Sequence, residues 1–190
     1  MASILLRPQF IQSTGIGWLS LLTALAITRA ISDLGLAPKI KWPNDVLIAE
    51  KKVSGILAEV ATDSSCVVIG FGINVNQSVE QLPVDTATSL LLENASTVDR
   101  DQLLAAVIEN IRSLYLELSS AGGDATASGL RQAILELSAT VGSQVSVEFP
   151  DGKKAFGLAK EIDETGRLVV STQNETLSVS AGDVLHLRKA

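Results

Sequence analysis

The sequence predicts an α+β fold: a mixed sheet packed by helices, followed by a small β-barrel. Three observations predict it. Apolar runs rich in Val, Ile and Leu recur at residues 46–48, 53–60 and 67–73, separated by polar corners, as strands of a half-buried sheet do. Apolar residues recur at helical spacing over 17–34 and again over 102–118. Near Thr140 the period falls to two, and five short strands crowd into the roughly 50 residues that remain. The chain therefore divides into a unit over 1–139 and a smaller one over 140–190.

Taken in order, Ala2-Ser3-Ile4-Leu5-Leu6 reads as a short first strand ending at Arg7-Pro8. In the first helix Trp18, Leu21, Leu22, Leu25, Ile27, Ala30, Ile31 and Leu34 cover most of the circumference, and Gly35 is its natural stop. A helix apolar nearly all round is buried or spans a membrane. Its low-polarity part, 16–27, falls short of the about 20 residues a bilayer needs. Arg7 ahead of the run and Ala24-Leu25-Ala26 imitate a cleavable leader, but a packed helix behind the sheet is the reading retained. After the sheet, 77–85 reads as a loop and 86–92 as a short helix. Asp99-Arg100-Asp101 starts a long helix over 102–118, with Leu103, Leu104, Val107, Ile108, Ile111, Leu114 and Leu118 on one face. Gly122-Gly123 breaks it, and a third helix is expected over 125–138. The closing strands fall at 145–149, 155–162, 168–171, 176–179 and 184–187, with a hairpin turn at Pro150-Asp151-Gly152.

Composition excludes several classes. A net charge of −6 and a pI near 4.8 argue against a nucleic-acid surface. Cys66 is alone, so there is no disulfide framework, and a reducing cytoplasm is the natural compartment. His186 is the single histidine, which excludes a multi-histidine metal site.

The chemistry concentrates in residues 39–76. Lys41 closes a strand, and Pro43 holds Trp42 extended. Asn44 and Asp45 then set an amide beside a carboxylate, and a carboxylate near a phosphate binder points to Mg²⁺. Glu50-Lys51-Lys52 turns a hairpin, and Gly55 leaves room for a ligand against the backbone, as do Gly70 and Gly72 on the next strand. Asn74 offers a donor and an acceptor to a base edge. Each feature has an ordinary reading beside this one: Pro-Asn-Asp makes turns, paired lysines cap solvated hairpins, and strand glycines mark bulges.

The wording of these segments is distinctive. KWPNDV at 41–46, KKVSGILAEV at 51–60 and VVIGFGINVN at 67–76, with ATSL at 87–90 and SAGDVLHLR at 180–188, resemble the biotin protein ligase family over nearly the whole chain. The resemblance implies a biotin/lipoyl ligase catalytic-domain fold followed by a Src-homology-3-like barrel. It implies an ATP-dependent ligase that activates biotin as biotinyl-5′-AMP and passes it to a lysine of the biotin carboxyl carrier domain of a carboxylase. On that resemblance Lys52 is catalytic and bridges the biotin carboxylate and the phosphate. Asp45 holds Mg²⁺ or orients Lys52. Gly55, Gly70 and Gly72 line biotin with Lys52, while Lys41, Asn44 and Asn74 meet the nucleotide. Trp42 is read as a buried ring behind the loop. No covalent enzyme intermediate is needed, and Cys66, read as part of an apolar strand, is inert.

Family members carry a Ser-Thr-Asn-type element and a Gly-Arg-Gly loop ahead of the strand at Ala2, and neither occurs here. The expectation is that the nucleotide half of the site is represented and the biotin half mostly not, so that these 190 residues do not biotinylate a carrier at a useful rate. Two other readings stay open: a lipoyl ligase or transferase of the same fold, and a non-catalytic fragment that binds a carrier protein or nucleotide. A homodimer is compatible with either; nucleic acid and membrane are not expected partners.

Overall fold

A computed structural model describes residues 1–8, 16–61, 66–95, 98–149, 152–180 and 183–186. The first sheet has five strands, β1 (Ala2–Leu6), β2 (Lys39–Lys41), β3 (Asp45–Ile48), β4 (Lys51–Val60) and β5 (Val67–Ile73), in the order β1-β5-β4-β3-β2. Every pairing between these strands is antiparallel, which corrects the mixed sheet expected from the sequence. The reason is connectivity: β2 to β5 follow one another through short links, and short links join antiparallel neighbours. Parallel pairing is confined to two isolated bridges, Ile40 to Ser138 and Lys52 to Ala87.

Helix α1 (Ile16–Ser32) leaves β1 at one edge and returns at β2 on the other, crossing behind the sheet. It packs against β2, β3, β4 and β5 on one side and against α2 (Arg100–Ser120) on the other. That sandwich explains a helix without a polar face. Trp18, Leu19, Leu22, Leu25, Ile27 and Ile31 are all buried, with Arg29 and Ser32 at the surface. The chain then turns through Gly35 at φ 82°. Among the described residues no helix is long and apolar enough to cross a membrane.

Asp99 caps α2 by accepting from the Asp101 and Gln102 amides. The buried stripe is Leu103, Val107, Ile111, Leu114 and Leu118; Leu104 and Ile108, expected on the same face, lie exposed beside it. Gly122 and Gly123, at φ 66° and 89°, end the helix as expected. The third helix is shorter than its apolar pattern. Helix α3 spans Leu130–Glu136, because Asp124 caps a separate turn through Thr126 and Ala127 and Gly129 sits at φ 77°. Residues 86–92 form no helix; they are drawn out along β4 and then turn.

The second sheet holds β6 (Gln144–Glu148), β7 (Lys154–Ile162), β8 (Leu168–Ser171), β9 (Thr176–Val179) and β10 (Asp183–His186), in the order β10-β6-β7-β8-β9, all antiparallel. The strands fall within a residue or so of the alternating pattern. Among the described residues β9 and β10 are not paired, so what is seen is an open antiparallel sheet in place of the expected barrel. Residues 150–151 of the expected turn and 187–188 of the last motif lie outside the described residues.

Candidate active site

The site begins with an irregularity in β4. Val46 stands opposite Ser54 and Leu47 opposite Lys52, so Val53 is an extra residue, a bulge. In a regular strand, residues three apart face opposite sides. The bulge instead puts Lys52 on the same face as Gly55. A Cβ at Gly55 would lie 2.9 Å from Cε and from Nζ of Lys52. Gly55 thus makes room for the lysine side chain, where the sequence reading had given that room to a ligand. Across the strand pair from Gly55 stands Asp45, whose Oδ1 is 2.5 Å from the Lys52 Nζ. This oxygen is buried, and its contact with the ammonium is an ion pair outside hydrogen-bond geometry. Lys52 itself stays 47% exposed, so its charge is held in place yet open to a ligand.

The ATSL segment fixes the backbone beneath this pair. The Lys52 amide donates to Thr86 O and the Thr88 amide to Lys52 O, each at 2.8 Å. Asn74 donates its side-chain amide to Thr88 O at 2.9 Å, and its main chain bonds Val53 and Leu90. The Thr88 hydroxyl donates to Glu93, and that of Ser89 to Gln77 O. These bonds explain why the segment is extended: its polar groups serve β4 and the 74–77 turn.

Around the lysine lies a cleft of about 500 Å³, within the usual range for small-molecule sites. Of the residues singled out in the sequence, Lys52, Gly55, Gly72 and Asn74 line it, and Asp45 reaches it through Lys52. Three others stand apart from its lining. Gly70 lies on the same sheet face between Ser3 and Leu57. Asn44 donates its side-chain amide to Ile56 O at 2.6 Å and accepts the Ile56 amide, tying β3 to β4. Lys41 is on β2 opposite Asp45. Sequence reasoning missed Ser54 and Gln77, which also line the cleft, because neither sits in a phosphate- or metal-binding pattern. Cys66 is half-buried and immediately precedes β5 rather than lying within it.

Behind the site, Trp42 is the buried ring expected. Its amide donates to Thr140 Oγ1 and its indole Nε1 to Gly166 O, both at 3.0 Å. Trp18 Nε1 donates to Glu164 O at 2.8 Å. Two indoles from the first unit thus grip the β7–β8 turn of the second.

The cleft thus sets a cationic lysine, laid over a glycine, on the open face of an antiparallel sheet. Residues 1–74 match the Biotin/lipoate A/B protein ligase family, and residues 140–187 match the Biotin protein ligase C terminal domain. The biotin–[acetyl-CoA-carboxylase] ligase of Mycobacterium tuberculosis is 37% identical over 96% of this chain and 71% of its own length. The bifunctional ligase/repressor BirA of Bacillus subtilis is 30% identical over 96% of this chain, which spans 56% of that protein. The crystal structure of biotin protein ligase from Aquifex aeolicus superposes with a TM-score of 0.84 at 25% identity, over 98% of this chain and 81% of that one. The same ligase in complex with biotin and ATP gives 0.81, at 25% identity and over 98% and 77%. The chain belongs to the biotin protein ligase family.

Proposed function

We propose that the chain is a biotin–[biotin carboxyl-carrier protein] ligase whose catalytic charge is Lys52. The observation that carries this is the Lys52–Asp45 pair laid over Gly55 at the mouth of the cleft. Adenylation sets a biotin carboxylate oxygen against the α-phosphorus of ATP, with pyrophosphate leaving. Two anions must approach, and a fixed ammonium offsets the charge that builds between them. A lysine suits this because it acts as a point charge on a flexible stem. Asp45 keeps that stem turned toward Gly55. The second step is attack by a carrier-domain lysine on the biotinyl carbonyl, releasing AMP. Gly72 and Asn74 line the ligand beside Lys52, Gly70 continues the biotin-facing surface, and Lys41 and Asn44 serve the nucleotide from the β2–β3 end.

Mg²⁺ finds a poor protein site here. Asp45 Oδ1 already faces the Lys52 ammonium, and no group of three His, Cys, Asp or Glu side chains gathers among the described residues. Asp45 is therefore assigned to orienting Lys52, and a metal would enter on the triphosphate, as Mg²⁺ usually does. The relatives favour biotin over lipoate as the acyl group. A reducing cytoplasm, expected from the lone Cys66, suits an ATP-dependent reaction on a carboxylase carrier. A homodimer would use the outer edge of β1, which is unpaired among the described residues.

The test is calorimetric binding of a non-hydrolysable biotinyl-adenylate analogue. The chain binds it, Lys52→Ala weakens binding at least tenfold, and Lys51→Ala, on the exposed neighbouring residue, leaves it unchanged. A wild-type chain that binds a lipoyl-adenylate analogue more tightly would move the assignment to lipoate. One that binds neither would leave only the non-catalytic reading.

A further inference from the structure

The strap at residues 86–88 holds the main chain of Lys52 through one isolated parallel bridge. The Lys52 amide donates to Thr86 O and the Thr88 amide to Lys52 O. A bridge that its neighbours do not continue keeps its register only if something outside it does so. Thr88 is where the outside bonds converge. Its amide serves Lys52, its carbonyl accepts from the Asn74 side chain, and its hydroxyl donates to Glu93 Oε1 at 2.6 Å. The last of these is unusual. A buried threonine hydroxyl commonly bonds a carbonyl of its own turn, as Thr23 does with Leu19 O. Thr88 is 1% exposed and bonds a carboxylate five residues along instead. Charge-assisted bonds of this kind are roughly twice as strong as neutral ones.

Glu93 is a fixed anchor because its turn is closed by its own bonds. The Glu93 amide donates to Ser89 O, that of Asn94 to Leu91 O and that of Ala95 to Leu90 O. The amides of Leu90 and Leu91 donate in turn to Asn74 O and Val75 O, just past β5. The turn is thus fastened to the first sheet, and Glu93 fastens Thr88 to the turn. We infer that Glu93, acting through Thr88, is a positioning residue for Lys52, an inference that rests on the reading of Lys52 as the charge that meets the ligand. Gly55 and Asp45 settle which way the lysine side chain turns; Glu93 and Thr88 settle where the main chain beneath it lies. Neither Glu93 nor Thr88 lines the cleft, so any effect on a ligand passes through residues that do.

The experiment is a double-mutant cycle with Lys52. Binding of the non-hydrolysable biotinyl-adenylate analogue is measured by calorimetry for Thr88→Val, Glu93→Ala and Glu93→Gln, each alone and combined with Lys52→Ala. Thr88→Val and Glu93→Ala are each expected to weaken binding about fivefold or more, and combined with Lys52→Ala to cost less than about twofold further, because the ammonium they place is gone. Glu93→Gln keeps an acceptor for the hydroxyl and recovers most of what Glu93→Ala loses. Glu93 is only half-buried, so its two variants carry the test should Thr88→Val fail to fold. A loss of equal size with and without Lys52 overturns the inference, since a merely structural role, or one through Asn74, does not depend on the lysine. So does full affinity in Glu93→Ala while Lys52→Ala loses its tenfold, an outcome that leaves the reading of Lys52 intact. A Lys52→Ala chain that binds as tightly as the wild type, or a wild type that binds no analogue, removes that reading and this inference together.

Discussion

Three residues decide where the Lys52 ammonium lies, and the proposed role depends on that position: Val53 by bulging the strand, Gly55 by lacking a side chain, and Asp45 by its charge. Gly55→Ala tests the placement. The added Cβ would come 2.9 Å from the last atoms of the lysine, which are mobile, so the lysine moves and the backbone does not. The unfolding midpoint is expected to stay within a degree or two of the wild type. Adenylation falls by about a hundredfold, the scale of an ångström's misplacement of a reacting group. Full pyrophosphate release from Gly55→Ala would show that the lysine position is uncritical. Part of this arrangement is legible in the sequence, since KWPND and KKVSGIL contain Asp45, Lys52 and Gly55, which the structure brings together. What is not legible is which neighbour each residue serves. Glycine in a strand announces a close approach without saying by what, and here it is a lysine of the same chain. Asn44 announces a hydrogen-bonding amide, yet its nitrogen holds Ile56 O. Gln77 announces nothing, because an ordinary polar residue becomes informative only once its oxygen is seen buried and alone.

At the scale of elements, periodicity predicts buried strands well and their connections less well. Strand β5 falls on Val67–Ile73 as its apolar run predicts, because alternate burial of Val67, Ile69 and Phe71 requires that phase. The β3–β4 hairpin is expected from the sequence, but its turn is not at Glu50-Lys51-Lys52. Its turn is Ala49-Glu50, with both residues left-handed at φ 47° and 63°, and Lys51 and Lys52 already belong to β4. Two-residue turns of this kind normally announce themselves as Asn-Gly or Asp-Gly. An alanine and a glutamate give no such signal, and each costs roughly 1–2 kcal/mol in that conformation. Glu50→Gly is therefore expected to raise stability by about 1 kcal/mol, less than the full relief because glycine also loosens the unfolded chain. Urea unfolding measures it; an unchanged or lower midpoint would mean that Glu50 has a compensating contact. The helix expected over 86–92 fails for another reason. Its residues have helical propensity, but the backbone of Lys52 and the side chain of Asn74 claim the same carbonyls and amides. Long-range partners of this kind leave no trace in a local window.

At the scale of the molecule, the β7–β8 turn is one of the places where the second sheet meets the elements before it. Asp163 accepts from the Thr165 amide and hydroxyl and from the Arg167 amide and Nε, which shapes the turn so that Glu164 O and Gly166 O meet Trp18 and Trp42. Arg131 adds bonds to Ile162 O and Glu161 from α3. Gly166, at φ 84°, packs against Gly17, where a Cβ would come within 3.3 Å of main chain. The alternation past Thr140 predicts a second unit, but nothing in it predicts that two tryptophans far apart in sequence would hold its turn, since each reads simply as core. Trp42 directly precedes Pro43-Asn44-Asp45, so the turn also backs the strand that carries Asp45. Acid should loosen this junction, and the sign follows from Asp163. Burial pushes its carboxyl up, but the donors of Thr165 and Arg167 outweigh that and hold it below the ordinary aspartate value. A depressed folded-state pKa means stability that is present above the unfolded value of about 3.9 and lost as pH falls through the lower folded value. Asp163→Asn, which weakens the same bonds at every pH, separates this group from the other carboxylates. Near neutral pH it is expected to cost about 1 kcal/mol and to red-shift tryptophan emission as the indole bonds loosen. Below about pH 4 the gap between wild type and variant should begin to narrow, and it should close once the pH has fallen through the lower folded-state value, where protonation costs the wild type what the substitution removes. A gap that stays constant from pH 7 to pH 3, followed by thermal melts with tryptophan emission, would show that Asp163 holds the turn by shape and that its charge contributes nothing.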